Sequence, residues 1–291
     1  MRDCTLCPRM CHIDRSAGAL GFCGEAAEMR IARAALHPFE EPCLSGTRGS
    51  GTVFFCGCSL RCVFCQNREI SRASATGRTV SEGELGEIIL DLQEQGAHNV
   101  NFVTPTHFTD GIRRTLERVK DKLTIPVVWN SSGYERVETL RTLDGLVDIY
   151  LPDFKYHSSK LARAYSSAPD YREVASKALL EMFRQTGRYA LDGDGLLLRG
   201  VLVRHLVLPA ARKDSMAALD HLAALLPTEE ILLSLMSQYT PDFALDSPYR
   251  SLHRRVTTFE YDTVLRHAAD LGFVGFMQEK SSASSVYTPK F

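Results

Sequence analysis

Cysteine is absent after position 65 of this 291-residue chain, and all nine cysteines lie at or before that position. A secreted protein held together by disulfides would distribute its cysteines over the region to be cross-linked, and a chain of this length can bury a core without such links. In a reducing compartment, clustered thiols usually bind metal. The distribution therefore predicts metal sites near the N-terminus and argues against a disulfide framework.

The chain also lacks an appreciable net charge, a long apolar run and a secretion signal. Its formal charge is −1, so no overall field attracts nucleic acid or an anionic membrane. No apolar stretch approaches the roughly 18 residues of a membrane-spanning helix, and the opening MRDCTLCPRMCHID has no apolar signal core. We therefore expect a cytoplasmic protein that binds neither nucleic acid nor a membrane.

No internal repeat is visible, but from residue 51 onward short apolar runs alternate with helical patterns. The six predicted strands are residues 51–57, 99–104, 125–130, 145–152, 196–209 and 229–238. The helical patterns lie between and after them, and a capping box at Ser81–Glu84 opens the first helix. Strands that are continuous apolar runs suit a parallel sheet covered on both faces. The order predicts an α/β fold, a partial (β/α)6 TIM-like barrel, with a flat doubly wound sheet as the alternative.

Residues 1–48 differ from the rest of the chain in composition, being rich in cysteine, proline, glycine and arginine and poor in periodicity. We expect residues 1–48 to form an irregular, cysteine-rich metal-binding extension and residues 49–291 to form the barrel domain. Within the barrel, residues 240–257 form a long non-periodic stretch with prolines and aromatics. That stretch is predicted to be a loop that caps the site.

Three cysteines, Cys58, Cys62 and Cys65, lie on one short loop directly after the first predicted strand. Three thiolates can bind three irons of a cuboidal iron–sulfur cluster and leave the fourth iron open to a substrate or cofactor. A structural zinc ion instead takes four protein ligands. Cys56 lies within the buried strand and reads as a small core residue. Cys43 is a spare thiol whose role the sequence leaves open.

A second cysteine group, Cys4, Cys7, Cys11 and Cys23, supplies four thiols, enough to close a tetrahedral zinc site or an all-cysteine 4Fe–4S cluster. Zinc would pin an otherwise weak N-terminus, and a cluster would do the same and also relay electrons. We favour zinc, because closed four-thiol sites at chain ends are commonly structural.

Polar side chains gather where the predicted strands end, which is where α/β folds place their chemistry. The candidate binding and catalytic residues at these ends are Thr104, Thr106, His107, Asn130, Ser132, Asp153, Lys155 and Arg204. The alternative for each of them is a salt bridge or a cap at the rim of a barrel, since structural ion pairs also collect there.

The spacing Cys58-x3-Cys62-x-Phe64-Cys65, after a first strand and ahead of a series of strand–helix units, resembles the signature of the radical S-adenosylmethionine (SAM) superfamily. The whole chain is most similar to the branch of pyruvate formate-lyase activating-enzyme-like iron–sulfur proteins. That branch has an N-terminal CxxCPRxC element, which residues 4–11 match. It is also similar at GxCGE, residues 21–25, and at RHLVLP, residues 204–209.

The resemblance implies a 4Fe–4S cluster held by the three cysteines of the loop, with SAM chelating the open iron. One electron from a flavodoxin- or ferredoxin-type donor would cleave SAM to methionine and a 5′-deoxyadenosyl radical, which abstracts hydrogen from a substrate. In such enzymes the cofactor carries the hard chemistry and the protein positions it.

The resemblance also implies roles for the strand-end residues. Asp153 and Lys155 resemble an Asp-x-Lys pair that lies near cofactor and substrate in activating enzymes, and they are the candidate catalytic residues. Thr104 to His107 stand where relatives have a glycine-rich motif that supports the methionyl amine. Asn130 and Ser132 are candidates for the ribose or the carboxylate, and Arg204 for a bidentate pair with that carboxylate.

Three functions follow from these features. The first is an oxidoreductase that activates a glycyl-radical protein, as the branch implies. The second is a radical SAM enzyme that modifies a small molecule or a peptide. The third is a non-catalytic iron–sulfur protein of electron transfer or assembly, against which the open iron and the polar strand ends argue.

Overall fold

The computed structural model describes residues 2–72 and 75–277. Its strands are β1 (Met29–His37), β2 (Ser50–Phe55), β3 (Arg78–Val80), β4 (Val100–Val103), β5 (Val127–Ser131), β6 (Ile149–Pro152), β7 (Ala190–Leu191), β8 (Leu197–Leu206), β9 (Leu232–Met236) and β10 (Val274–Met277). Its α-helices are α1 (Pro42–Ser45), α2 (Glu82–Glu94), α3 (Thr109–Val119), α4 (Val137–Arg141), α5 (Ser159–Ser166), α6 (Tyr171–Thr186), α7 (Arg212–Leu225) and α8 (Thr258–Asp270). Single 3₁₀ turns lie at Arg15–Ala17, Thr106–Phe108, Pro241–Phe243 and Arg250–Leu252.

One sheet organises the chain, in the order β10-β9-β8-β6-β5-β4-β2-β1-β3. The seven strands from β2 to β10 along this path pair in parallel, and β1 and β3 add to the β2 edge in antiparallel fashion. Each of the six predicted strands is present. The predicted α/β fold, a partial TIM-like barrel, is confirmed.

Two helices, α2 and α8, begin at capping boxes. In α2, Ser81 Oγ accepts from the Glu84 amide at 3.2 Å, and the Glu84 carboxylate accepts from the Ser81 amide at 2.7 Å. In α8, Thr257 and Glu260 form the same reciprocal pair. Such boxes satisfy amides that the first helical turn leaves without partners.

The interior of the sheet is apolar at the N-terminal ends of the parallel strands. Val128, Ile149, Leu202 and Leu232 pack there with two residues of α1, Cys43 and Leu44. Cys43 is therefore a core residue of this cluster and belongs to neither cysteine group. Burial raises the pKa of its thiol to about 12, as expected of an inert buried cysteine.

Residues 1–48 are less irregular than their sequence predicts, because Met29–His37 form the nine-residue strand β1. This strand pairs with β2 on one side and with β3 on the other. Its sequence, MRIARAALH, has no sustained alternation, so only its two neighbours make it a strand. The described residues include no helix long and apolar enough to cross a membrane.

Candidate functional site

A cavity lies at the carboxyl ends of the parallel strands, between the sheet and the loop that carries Cys58, Cys62 and Cys65. All three cysteines line it. The other polar residues of its wall are Gln66, Asn67, Ser71, Thr104, Asn130, Ser131, Ser132, Asp153, Lys155, Arg204 and Gln238. The strand ends therefore bring six of the eight predicted binding or catalytic residues to one place.

The cysteine loop is folded tightly by its own backbone. The Cys65 amide donates to the Cys62 carbonyl at 3.2 Å, and Arg61 between the first two cysteines has a left-handed φ of 54°. Phe64 anchors the loop, because its ring packs against the rings of Tyr165 and Tyr239. The aromatic position before the last cysteine is thus a packing residue that fixes the loop.

Two of the three cysteines of this loop are buried. Cys58 and Cys62 are each 9% exposed, and burial raises the pKa of Cys58 and takes that of Cys65 to about 12. The Lys155 ammonium acts in the opposite direction on both thiols. Thiolates at such a place need a cation to be stable, and a bound metal centre supplies that charge. The set fits a metal centre better than free thiols.

Asp153 joins two cations on the cavity wall. Its carboxylate accepts from Lys155 Nζ at 2.6 Å and from Arg204 Nε at 3.1 Å. Burial alone would raise the pKa of Asp153, but the charges of Lys155 and Arg204 hold it below its ordinary value. Arg204 is further engaged, since its Nη2 donates to Asn130 Oδ1 at 2.7 Å and its Nη1 lies 3.7 Å from Glu40 Oε2.

Thr104 and Ser132 lie at the ends of neighbouring strands, β4 and β5, and both line the cavity. Thr104 has a left-handed φ of 58°, an uncommon conformation for a β-branched residue. Its amide donates to the Asn130 carbonyl at 2.9 Å, which extends the pairing of the two strands by one residue. The strained turn is therefore held by the sheet.

Thr106 and His107 do not line the cavity, although the sequence places them among the cofactor-binding candidates. Thr106 Oγ1 donates to Glu135 Oε1 at 2.7 Å, and both residues are buried. The His107 ring contacts the Cys56 carbonyl through Nε2 at 2.6 Å, and burial lowers its pKa to about 3. A neutral, buried histidine of this kind supports the backbone beneath the site.

Two groups of residues near the cysteines escaped the sequence analysis. Gln66 and Ser71 extend the cysteine loop into the cavity wall, and their proximity to the motif is the signal that would have found them. Ser166 is different, because its hydroxyl donates to Cys62 Sγ at 2.9 Å from 104 positions away along the chain. No local pattern marks such a contact.

The four N-terminal cysteines lie on one irregular segment, residues 4–23, here named the N-terminal turn. The Cys4 amide donates to the Ile13 carbonyl and the His12 amide to the Cys4 carbonyl, each at 3.1 Å. The Phe22 amide donates to Cys11 Sγ at 3.3 Å. Cys4, Cys7 and Cys23 are each 6% exposed, and burial, with the other three cysteines adding to it, raises the pKa of Cys7 to about 12.

This N-terminal turn is tied to the barrel at several points. Arg136 Nη1 donates to the Thr5 carbonyl at 2.6 Å, and Thr139 Oγ1 donates to the Leu6 carbonyl at 2.8 Å. The Cys23 carbonyl accepts from the Cys58 amide at 3.2 Å. The two cysteine groups are therefore neighbours that share a backbone hydrogen bond.

Within residues 2–72 and 75–277, no three or more His, Cys, Asp or Glu side chains are arranged to hold a single metal ion. The ligands of a 4Fe–4S cluster need not surround a single ion, because each thiolate binds a different iron.

Comparison with known proteins identifies the chain. A model of the radical SAM superfamily matches residues 52–191. A protein of Methanocaldococcus jannaschii, described as uncharacterized protein MJ0674, is 31% identical over 279 residues, which cover 92% of this chain and 74% of that protein.

Solved structures share the architecture. A radical SAM methyltransferase from Sphaerobacter thermophilus is similar with a TM-score of 0.53 and 14% identity, over 87% of this chain and 77% of that one. Methylornithine synthase gives a TM-score of 0.52 at 14% identity, over 75% of this chain and 60% of that one. At such identities the likeness shows the fold alone. The match of the family model to residues 52–191 shows that the chain belongs to the radical SAM superfamily.

Proposed function

We propose that Cys58, Cys62 and Cys65 bind a 4Fe–4S cluster at which the protein cleaves SAM reductively. Membership in the superfamily implies the cluster and SAM as cofactors. The observation that carries the assignment is the position of the three thiols, on one loop over a polar cavity at the carboxyl ends of the strands. When bound there, cluster and SAM supply a 5′-deoxyadenosyl radical for hydrogen abstraction.

The chain's own residues would bind and orient SAM. Asn130 and Ser132 present an amide and a hydroxyl to the cavity, and the Thr104 hydroxyl on the same wall would accept from the methionyl amine. Arg204 and Asp153 already form a partly buried ion pair, so they act together as a preformed polar wall. Thr106 and His107 support the end of β4 through their contacts with Glu135 and the Cys56 carbonyl, outside the cavity wall.

Lys155 on this wall has two N–H donors beyond the one in its ion pair. Its ammonium carries three N–H donors, and one of them is directed to Asp153 Oδ2. Asp153 fixes the ammonium on the cavity side, close enough to the cysteine loop to act on the pKa values of Cys58 and Cys65. We assign to Lys155 the stabilisation of negative charge at the cluster or on the SAM carboxylate.

The assignment is tested by SAM cleavage in anaerobically reconstituted protein reduced with dithionite. We expect 5′-deoxyadenosine from the parent protein and none above background from Cys58→Ala, Cys62→Ala or Cys65→Ala. Cys56→Ala is the matched control, because Cys56 is a fully buried thiol of the same segment that does not line the cavity. Full cleavage by any of the three ligand variants would refute the ligand set.

The substrate of the abstraction is a separate proposal. The first candidate is a glycyl-radical protein, which the resemblance of the N-terminal CxxCPRxC element to activating enzymes supports. The second is a small molecule or peptide, favoured by the segment 240–257, which packs beside the cysteine loop, because Tyr249 contacts Tyr165 of α5 and Tyr165 contacts Phe64 of the loop. Incubation with a glycyl-radical protein or with small-molecule pools, with deuterium transfer into 5′-deoxyadenosine as the readout, separates them.

We further propose that Cys4, Cys7, Cys11 and Cys23 hold one zinc ion, and their thiols would have to close around it, because no three of them are arranged around a single ion in the described residues. Three of the four residues are buried, and the turn is tied to the barrel by hydrogen bonds rather than open to a cavity, as suits a structural site. Metal analysis of the triple Cys58/Cys62/Cys65→Ala protein isolates this group. We expect about one zinc per chain, and iron with sulfide in its place would make it a second 4Fe–4S cluster that relays electrons.

The electron donor is proposed to be an acidic flavodoxin- or ferredoxin-type protein. Support comes from the outer face of the cysteine loop, where Arg61, Arg68 and Arg72 border one depression and outnumber its one carboxylate, Asp246, which pairs with Arg68 at 3.6 Å. A basic face attracts an acidic partner, and the attraction weakens as salt screens it. Reduction by such a donor should therefore slow with ionic strength, while reduction by dithionite serves as the reference.

A further inference from the structure

Cys62 receives a hydrogen bond from a distant helix. Ser166, the last residue of α5, donates from Oγ to Cys62 Sγ at 2.9 Å. Ser166 is 1% exposed, so water does not compete for the sulfur at this side. Hydroxyl hydrogen bonds to ligand sulfurs are among the factors that set the potential of an iron–sulfur cluster.

A second hydroxyl orients the first. The Tyr156 oxygen lies 2.7 Å from Ser166 Oγ, and Tyr156 is fully buried. Because Ser166 has one proton and gives it to Cys62, Tyr156 must be the donor in its contact with Ser166. The two hydroxyls form a chain that ends on sulfur, and each bond of such a chain polarises the next.

Arg9 holds the end of α5 against the cysteine loop. Its Nη2 donates to the Ser166 carbonyl at 3.0 Å and its Nη1 to the Ser167 carbonyl at 2.5 Å. Its Nε donates to the Ser59 carbonyl at 2.8 Å. A guanidinium at a helix C-terminus satisfies carbonyls that have no partner within the helix. Since one side chain binds both elements, Arg9 fixes the distance between Ser166 and Cys62.

We propose that the hydroxyl chain from Tyr156 through Ser166 raises the reduction potential of the cluster at Cys62, with Arg9 as its positioning residue. This inference rests on the proposed function, because it takes Cys62 as a cluster ligand. Reduction adds one electron, so a hydrogen bond donated to the ligand sulfur stabilises the more negative, reduced state. None of the three residues lines the cavity, so the effect passes through the thiolate.

The test is a redox titration of the reconstituted protein. Dithionite supplies the single electron, and the midpoint is read from the electron paramagnetic resonance signal of the reduced cluster. For Ser166→Ala we expect the reduction equilibrium to shift about tenfold toward the oxidised form, a midpoint about 59 mV lower for one electron. Tyr156→Phe should shift it in the same direction by about threefold, since Ser166 remains a donor.

Tyr165→Phe is the matched control. It removes the hydroxyl of the residue next to Ser166, and that hydroxyl contacts Ser251 Oγ at 3.3 Å rather than a thiol. Its midpoint should equal that of the parent. Midpoints of Ser166→Ala and Tyr156→Phe that also equal the parent's, at unchanged iron and sulfide content, would overturn the inference and leave the proposed function standing.

Two further outcomes are decided by the same samples. If Ser166→Ala assembles no cluster, Tyr156→Phe, which removes a single oxygen, decides the question alone. If the parent takes up no cluster, or if Cys62→Ala holds full iron and sulfide, the proposed function is wrong and the inference fails with it.

Discussion

The two cysteine groups of this chain are alike in sequence and different in their surroundings. Both lie within short segments, and they share the hydrogen bond between the Cys58 amide and the Cys23 carbonyl. The cysteine loop faces a cavity lined with amide, hydroxyl and charged side chains. Backbone carbonyls of the N-terminal turn instead accept hydrogen bonds from two side chains of the barrel, Arg136 and Thr139. Under the proposed function, the cysteines beside the polar cavity hold the cluster, and those of the N-terminal turn hold a structural metal.

Electrostatics separates the groups in the same way. Burial raises the pKa of Cys58 and Cys65 in one group and of Cys7 and Cys23 in the other. One nearby cation opposes this rise at the two loop thiols, and another opposes it at Cys23. For the cysteine loop the cation is Lys155, which lines the cavity. For Cys23 it is Arg15, which is 2% exposed and bonds to the His107 carbonyl at 2.6 Å. Lys155 is placed to meet a ligand in the cavity, and Arg15 is fixed by the protein.

The largest expected difference between the groups is in SAM cleavage. Cys62→Ala should lower the rate of 5′-deoxyadenosine formation at least about a thousandfold, a loss of roughly 4 kcal/mol in transition-state stabilisation. Cys7→Ala should stay within about tenfold of the parent when rates are referred to bound cluster. A loss of the same size in both variants would show that both groups take part in the chemistry and end the division drawn above.

The second expected difference is in stability, and it runs the other way. Cys7→Ala should lower the free energy of unfolding by about 3 kcal/mol, because loss of a structural metal is among the few causes of large effects. Cys65→Ala should cost less, since its thiol lines a cavity rather than a closed turn. Thermal melting under anaerobic conditions measures both. A lower melting temperature for Cys65→Ala than for Cys7→Ala would reverse the assignment.

The sequence predicted the strands of the barrel more completely than the residues of its site. Apolar runs predicted all six strands because a parallel strand covered on both faces is apolar along its length. They could not predict β1, whose strand character comes from its neighbours β2 and β3. Strand ends brought Asn130 and Asp153 to the cavity, since the ends of parallel strands meet there. The 3₁₀ turn at Thr106–Phe108 directs Thr106 and His107 away from it, and the contact of Ser166 with Cys62 depends on how α5 docks.

The third prediction concerns Glu135, a buried residue outside the cavity wall. It precedes Arg136, whose side chain donates to the N-terminal turn. Its Oε1 accepts from Thr106 and Trp129, and burial raises its pKa to about 7. A carboxyl with a raised folded-state pKa favours folding most below its unfolded pKa of about 4.3, and stability falls as the pH rises from there toward about 7. Glu135→Gln, a mimic of the protonated form, should remove this dependence.

The expected result is a Glu135→Gln protein about 2 kcal/mol more stable than the parent at pH 8 and equally stable near pH 5. Melting temperatures across that range provide the measurement. SAM cleavage should change little, because Glu135 does not line the cavity. A constant difference in stability at all pH values would mean that Glu135 does not titrate in this window.

The smallest effect is expected at Lys155 and bears on the cavity side of the comparison. Lys155→Met keeps most of the side-chain stem and removes the ammonium, and Asp153 keeps Arg204 as its partner. The cluster content and the melting temperature should therefore stay close to those of the parent. The rate of 5′-deoxyadenosine formation should fall about tenfold, a loss of roughly 1.4 kcal/mol in transition-state stabilisation. Lys177→Met is the matched control, because Lys177 lies on the exposed face of α6 and pairs with Glu173. Either of two results would contradict this prediction: a loss of stability together with activity, or full activity. In both cases Lys155 stabilises the cavity wall and does not bind the ligand.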